Sequence, residues 1–430
     1  MKAKALVYLA VATLLFVVAA YVVNSESPAF THSNGGDLVL PDFGAKINDA
    51  AKIVIQTASA KFTIERKGDD WVVADKYDYP AKYDLVKGTL VALAQLRTVD
   101  AKTSQPALYS RLQVSDPGEK DGKSAELTVE DAQGHTLASL ILGKARESQG
   151  GDSNAVEIYV RKRGDAQSWL ATGTLQRTDE IKSWMARDIV AFDQNRMRTV
   201  AVTPTPDEAK ELEAKAEAAQ AASAKPAAAP KSKEEEAKAK SAKAKRGKAE
   251  AEAAKPALLV DDRAYALVKD KPGDDDFALQ DVPADKKVKS AFDIDQIGAA
   301  LATLTADDVL PAKDLKPESV LLRSLEYRSF DGAIVDLQLF RQAGKVWVKI
   351  AARVDPKVAA EAEAKSPAAP APAGEGSTKL KSPAEVAEEM KDLAARTKDW
   401  VFALGSADLT SLEKTFSDLV EAKDAAKPKS

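Results

Sequence analysis

Residues 5–23, ALVYLAVATLLFVVAAYVV, constrain this chain more than any other stretch, because no charged residue interrupts them. A helix rising ~1.5 Å per residue over such a run spans a hydrocarbon core of about 30 Å. Lys2 and Lys4 precede the run, whereas Glu26, Asp37 and Asp42 come before the first basic residue behind it, Lys46. That asymmetry predicts a cytoplasmic N-terminus with the bulk of the chain on the far side of a membrane. The competing reading is a cleaved signal peptide, whose apolar core is ordinarily about 7 to 15 residues with a small-x-small site behind it. Val22, Val23, Asn24, Ser25 and Glu26 make a poor site. The expectation is an uncleaved, single-pass signal anchor over 1–24 and a tether over 25–37 that contains the flexible sequence HSNGG, 32–36.

Composition narrows what the exported part does. The chain of 430 residues carries 62 Lys or Arg against 66 Asp or Glu, a net charge of −4 that gives no basic surface for nucleic acid. Cysteine is absent, which removes thiol nucleophiles, disulfides, cysteine-ligated zinc and lipoprotein acylation. An exported domain without disulfides depends on its apolar core.

From residue 38 the pattern is α+β. LVLPDFGAKINDAAKIVI (38–55) ends as a strand, and KFTIERKGDDWVVAD (61–75) reads as a hairpin turning at Gly68-Asp69-Asp70. After the break at Tyr79-Pro80-Ala81, Leu85, Val86, Leu90, Leu93 and Leu96 recur at helical spacing. PALYSRLQVSDPG (106–118) predicts a helical turn closed by Asp116-Pro117-Gly118, and SAELTVEDAQGHTLASLILGK (124–144) a second hairpin. Strands follow at 156–160 and 168–171, then a short helix over 179–185 with Trp184 facing inward.

Residues 206–257 change character: 12 Lys or Arg, 10 Asp or Glu, mostly Ala otherwise, and Leu212 as the one large apolar side chain. Such a segment buries too little surface to offset its ordering entropy, and Pro226, Pro230 and Pro256 interrupt its helical tendency. A second low-complexity insertion is expected over 357–383. Tyr265, Leu267, Gly273, Phe277 and Leu279 repeat the pattern of Phe62, Ile64, Gly68, Trp71 and Val73, and ALATL (300–304) repeats ALAQL (92–96). A hairpin and a tryptophan strand follow in each half, SWLATG at Trp169 and DWVFALG at Trp400. The expected organisation is two copies of one module of antiparallel hairpins packed with helices, at 38–205 and 258–424, joined by 206–257 and ending in a tail at 425–430.

LVLPDFGAKINDAAKIVI, the GDDWVV hairpin, the Tyr79-Pro80-Ala81 break and LYSRLQVSDP followed by SLILGK resemble the bacterial family of domain of unknown function 4340. The likeness covers about 38–200 well and the second half more loosely. The resemblance implies a single-span protein of the bacterial inner membrane, with its bulk in the periplasm. It also implies an accessory role beside an ABC transporter of the gliding-motility type, with a permease or companion envelope protein as partner and no catalytic residues. The long Ala/Lys/Glu segment departs from the family's compactness and leaves open a scaffold in which that segment is a spacer; fully helical, 206–257 would reach about 78 Å.

Chemical motifs are weak. GEKDGKS (118–124) has three residues between its glycines where a phosphate loop needs four, and a strand follows where a helix is required. Ser411–Lys414 has Ser-x-x-Lys spacing with no Lys-Thr-Gly strand beside it, inside an ordinary capped helix. His32 and His135 lie far apart, and Asp274-Asp275-Asp276 lacks the alternation of a calcium loop. The tryptophans fall mostly at apolar positions of strands, as core residues do. KAKSAKAKRGK (238–248) is basic, yet outside a membrane it meets only lipid or protein. The expectation is a non-enzymatic binding protein with no catalytic, cofactor or metal residue. A hydrolase working through paired carboxylates is the remote alternative.

Overall fold

The computed structural model describes residues 36–119, 122–147, 155–206, 208, 263–316, 319–365 and 380–423. The apolar run 5–23, His32, the basic stretch 238–248 and the tail 425–430 lie outside these residues. No helix among the described residues is long and apolar enough to cross a membrane.

The fold is mixed α+β with antiparallel sheets. In chain order its main elements are β1 (Lys52–Gln56), β2 (Lys61–Lys67), β3 (Asp70–Val73), α1 (Tyr83–Gln95), β4 (Arg97–Ala101), β5 (Ala125–Glu130), β6 (Thr136–Glu147), β7 (Val156–Lys162) and β8 (Ser168–Gly173). There follow β9 (Met197–Pro204), β10 (Tyr265–Val268), β11 (Ala278–Leu279), α2 (Ala291–Gly298), β12 (Leu304–Pro311), β13 (Val320–Ser329), β14 (Ala333–Gln342), β15 (Lys345–Val354), α3 (Pro383–Thr397) and β16 (Trp400–Leu404). These make two compact units: the described residues up to Lys61 with Lys87–Asp179, and Phe62–Val86 with the described residues from Glu180 onward.

In the first unit the strands run β1-β5-β6-β7-β8-β4. Side chains of a strand alternate between faces, so Ile53 and Ile55, Leu127 and Val129, Leu140 and Leu142, and Ile158 and Val160 all fall on one buried face. Polar residues take most of the other face.

In the second unit the strands run β9-β13-β14-β15-β16-β12. This is the same order, element for element. β10 and β11 extend the sheet beyond β9, and Asp188–Val190 pairs with the outer side of β12. The register repeats in detail: Ile64 faces Val73 in the first hairpin and Leu267 faces Leu279 in the second. A bulge between Thr98 and Asp100 against β8 recurs between Ala306 and Asp308 against β16. Helix α3 starts on a capping box made by Ser382 and Glu385 and buries Val386, Met390 and Leu393, one stripe at helical spacing. Helix α2 is capped by Ser290, and Tyr327 donates from its hydroxyl to the Ile297 carbonyl at 2.9 Å.

This pairing moves the expected boundaries. Residues 188–204, assigned above to the end of the first module, belong to the sheet of the second: Val202 faces Tyr265 on one side and Leu325 on the other. The Ala/Lys/Glu stretch therefore does not join two modules. It leaves one sheet after β9 and re-enters it at the neighbouring strand β10, so its two ends lie together. Both ends are pinned: Arg323, buried, donates from Nε to Glu208 Oε1 at 2.8 Å, and Tyr265 donates to the Lys414 carbonyl at 2.8 Å. The expected insertion 357–383 begins as a helix, Pro356–Lys365, and α3 starts at Pro383.

Within the second unit, Tyr79 stands edge-on to Trp400, with ring centroids 4.9 Å apart, and its hydroxyl donates to the Ala186 carbonyl at 3.0 Å. Lys76 and Lys345 each donate to Asp308, both at 2.7 Å.

Candidate functional site

Each sheet has an outer face, and the two faces are finished differently. On the first, four residues form a rung across the strands: Gln56 faces Glu126, Glu126 faces Ile141, and Ile141 faces Arg161. The link between β4 and β5 lies over this rung. Tyr109, Val114 and Ile141 pack together with Leu112 and Tyr159 at their margin. Arg161 fastens the link, donating from Nε to the Val114 carbonyl at 2.9 Å and from Nη1 to the Asp165 carbonyl at 3.0 Å, and pairing with the Asp116 carboxylate. Its guanidinium lies 4.6 Å from the centre of the Tyr109 ring, a cation–π contact. Gly143 completes the fit. A Cβ there would stand 2.3 Å from the Leu112 carbonyl oxygen, so only glycine lets the link lie this close to β6. LYSRLQVSDP and SLILGK are thus two halves of one packed contact.

On the second sheet the equivalent rung is Thr203, Ser324, Gln338 and Lys349, each facing the next. The link between β12 and β13 is short. Its Ala312 and Leu315, with Leu310 near the end of β12, pack against the cluster of Trp347, Val401 and Ala403. What remains is an open groove of about 470 Å³ over this rung and the next one, Ala201, Glu326, Asp336 and Ala351. Arg353 bridges the two carboxylates of the second rung, from Nη2 to Glu326 at 2.5 Å and from Nε to Asp336 at 3.0 Å, and Arg328 adds a bond to Glu326 at 2.6 Å. Partial burial opposes ionisation of Glu326, but the Arg328 and Arg353 bonds and charges outweigh it and hold the carboxyl below its usual range. A general acid needs the opposite shift. The Lys349 side chain is exposed and makes no hydrogen bond or ion pair with any described residue.

A second charged cluster is buried. Arg196 donates to Asp331 at 2.6 Å and to both oxygens of Glu389, while the Lys381 amide donates to Asp331 at 3.0 Å. Phe192 lies under the guanidinium at 4.4 Å. With Arg196 and Asp331 both enclosed and paired, the cluster fastens the start of α3 to the turn between β13 and β14 and offers no open surface.

The motifs weighed from sequence do not converge on either place. Gly122 donates its amide to the Glu119 carbonyl in a turn that leads into β5. The Ser411 hydroxyl donates to the Asp408 carbonyl of its own helix, and Lys414 lies 3.5 Å from Asp293. His135 sits in the β5–β6 turn against Asp131 at 2.9 Å, exposed. Among the described residues no three His, Cys, Asp or Glu side chains are grouped as a metal site. Trp71, Trp184 and Trp347 are buried, and Trp169 and Trp400 half-buried. The groove residues Thr203, Ser324, Gln338 and Lys349 carried no motif; strand alternation alone places each on an outer face, and only the pairing brings them into one rung.

The two antiparallel sheets share one strand order, and the carboxylates at the open groove of the second are tied to arginines. A family model described as domain of unknown function (DUF4340) matches residues 71–320, from β3 to the first residue of β13. The chain belongs to this family. Neither the curated proteins nor the solved structures contain a match.

Proposed function

We propose that the chain is a non-catalytic, membrane-anchored periplasmic protein whose duplicated α+β module binds another envelope protein, an ABC-transporter permease or its companion subunit. The observation that carries the proposal is the uncharged run 5–23 with basic residues only on its leading side. An anchor of that kind holds the modules beside the membrane and raises their effective concentration against membrane partners. The open groove on the second sheet supports a binding role, since its carboxylates are tied to arginines. The spacer alternative loses its footing, because a segment with both ends on neighbouring strands cannot set the modules apart.

The test is mild crosslinking of the tagged full-length protein in its native membrane, detergent extraction, and mass spectrometry of what accompanies it. Recovery of a specific permease or companion subunit above an unrelated single-span control is the expected result. Recovery of nothing above that control overturns the proposal.

A further inference from the structure

The groove on the second sheet occupies the register position at which the first sheet receives its own loop. Gln56, Glu126, Ile141 and Arg161 correspond one for one to Thr203, Ser324, Gln338 and Lys349. Tyr159 likewise corresponds to Trp347, two residues back along the equivalent strand. In the first unit the cation of the rung is saturated by a carboxylate and two backbone carbonyls of nearby loops. In the second, the link between β12 and β13 packs Ala312 and Leu315 against the Trp347 cluster, and the cation is exposed.

We infer that the groove of the second sheet takes a loop of a partner protein, one that presents an Asp or Glu carboxylate and backbone carbonyls to Lys349 as Val114 and Asp116 present theirs to Arg161. Charge selects such a loop. Glu326, Asp336 and Asp355 are held by Arg328 and Arg353, and Lys349 is the groove cation outside these pairs, beside the hydroxyls of Thr203 and Ser324 and the amide of Gln338. Shape limits where it lies. Phe340 stands at the position of Gly143, so the occupant sits over the two polar rungs and not against the far end of β14.

The inference rests on the reading of the chain as a binding protein, and its test is independent of any one partner. A fluorescein-labelled peptide with the sequence of residues 106–117, PALYSRLQVSDP, is titrated into the purified full-length protein in detergent and followed by anisotropy. Saturable one-site binding is expected. Lys349→Glu in the protein, or Asp116→Asn in the peptide, should weaken it about tenfold or more, the worth of one charge-assisted hydrogen bond. A peptide with Asp116→Lys should regain affinity for the Lys349→Glu protein, which a misfolded variant cannot imitate. Absence of saturable binding, or binding indifferent to Lys349→Glu, overturns the inference. So does binding that appears only when residues 209–262 are removed, since the chain itself would then be the occupant. Failure here with a transporter subunit still recovered by crosslinking removes the groove and leaves the binding role standing.

Discussion

At the scale of residues, a buried phenol and a half-buried carboxylate show how the second unit holds its titratable groups. Tyr79 is enclosed against Trp400, and burial pushes its phenol up to about 12. A folded value above the unfolded one means that the contribution of Tyr79 is complete below the unfolded value of 10.0 and is lost as pH rises through about 12. Tyr79→Phe should cost about 1 kcal/mol in urea unfolding at neutral pH, and should remove one late phenolate from the ultraviolet titration. Asp308 titrates in the other direction. Burial opposes its charge, but the bonds from Lys345 and Lys76 outweigh burial and hold it below 3.8. Its contribution is therefore present above the unfolded value and lost as pH falls through the lowered one. Asp308→Asn should destabilise by about 1 kcal/mol at neutral pH, discounted for partial exposure, and the difference from the parent should shrink in unfolding curves as pH falls below the usual carboxylate range.

At the scale of elements, the link between β4 and β5 is the clearest case of sequence and packing agreeing. Gly143→Ala should lift the link off β6 and cost about 1 to 3 kcal/mol in thermal unfolding, because Leu112 and Val114 offer the added methyl no space. An unchanged midpoint would show that the link yields freely. The hairpins, α1 and the short helix at Trp184 were legible from periodicity and turn residues, and so was the match of Ile64 and Val73 to Leu267 and Leu279. Aligning the tryptophan strands on Trp169 and Trp400 sets them two residues out of step. Pairing sets Trp169 opposite Val160 and Phe402 opposite Val348, so the counterpart of Trp169 is Phe402. A large apolar residue at either place satisfies the same alternation, and sequence alone does not select the register. β4 and β12 are not legible in the sequence because charged and polar residues interrupt RTVDA and LTADD, which hold no long apolar run. The groove is not legible in the sequence for a related reason: the change of composition separates Thr203 from Ser324, Gln338 and Lys349.

At the scale of the whole molecule, the chain holds one six-stranded arrangement twice, and its low-complexity segment interrupts the second copy after its first long strand. A change of composition ordinarily marks a domain boundary, and here that rule assigns β9 to the wrong copy. Composition reports what cannot be buried; it does not report which strands pair. In the first copy the connection between β1 and β2 is a turn closed by the Thr57 amide on the Ala60 carbonyl at 2.8 Å. Replacing residues 209–262 by a loop of about six residues, with Glu208 kept, should leave the fold intact and stabilise it by up to about 2 kcal/mol through the shorter closure. Loss of cooperative unfolding in that variant would mean that the segment contributes to the sheet.

The arrangement of β9 and β10 is tested most directly with a disulfide, and the absence of cysteine from the chain makes the measurement clean. Ala201 and Ala266 face one another across the two strands, close enough for a bridge between antiparallel neighbours. The double variant Ala201→Cys with Ala266→Cys, oxidised mildly and then cut by protease between residues 209 and 262, should run as one species without reductant and as two with it. Two fragments under both conditions, from protein that remains folded, would place the segment between separate bodies and contradict the shared sheet.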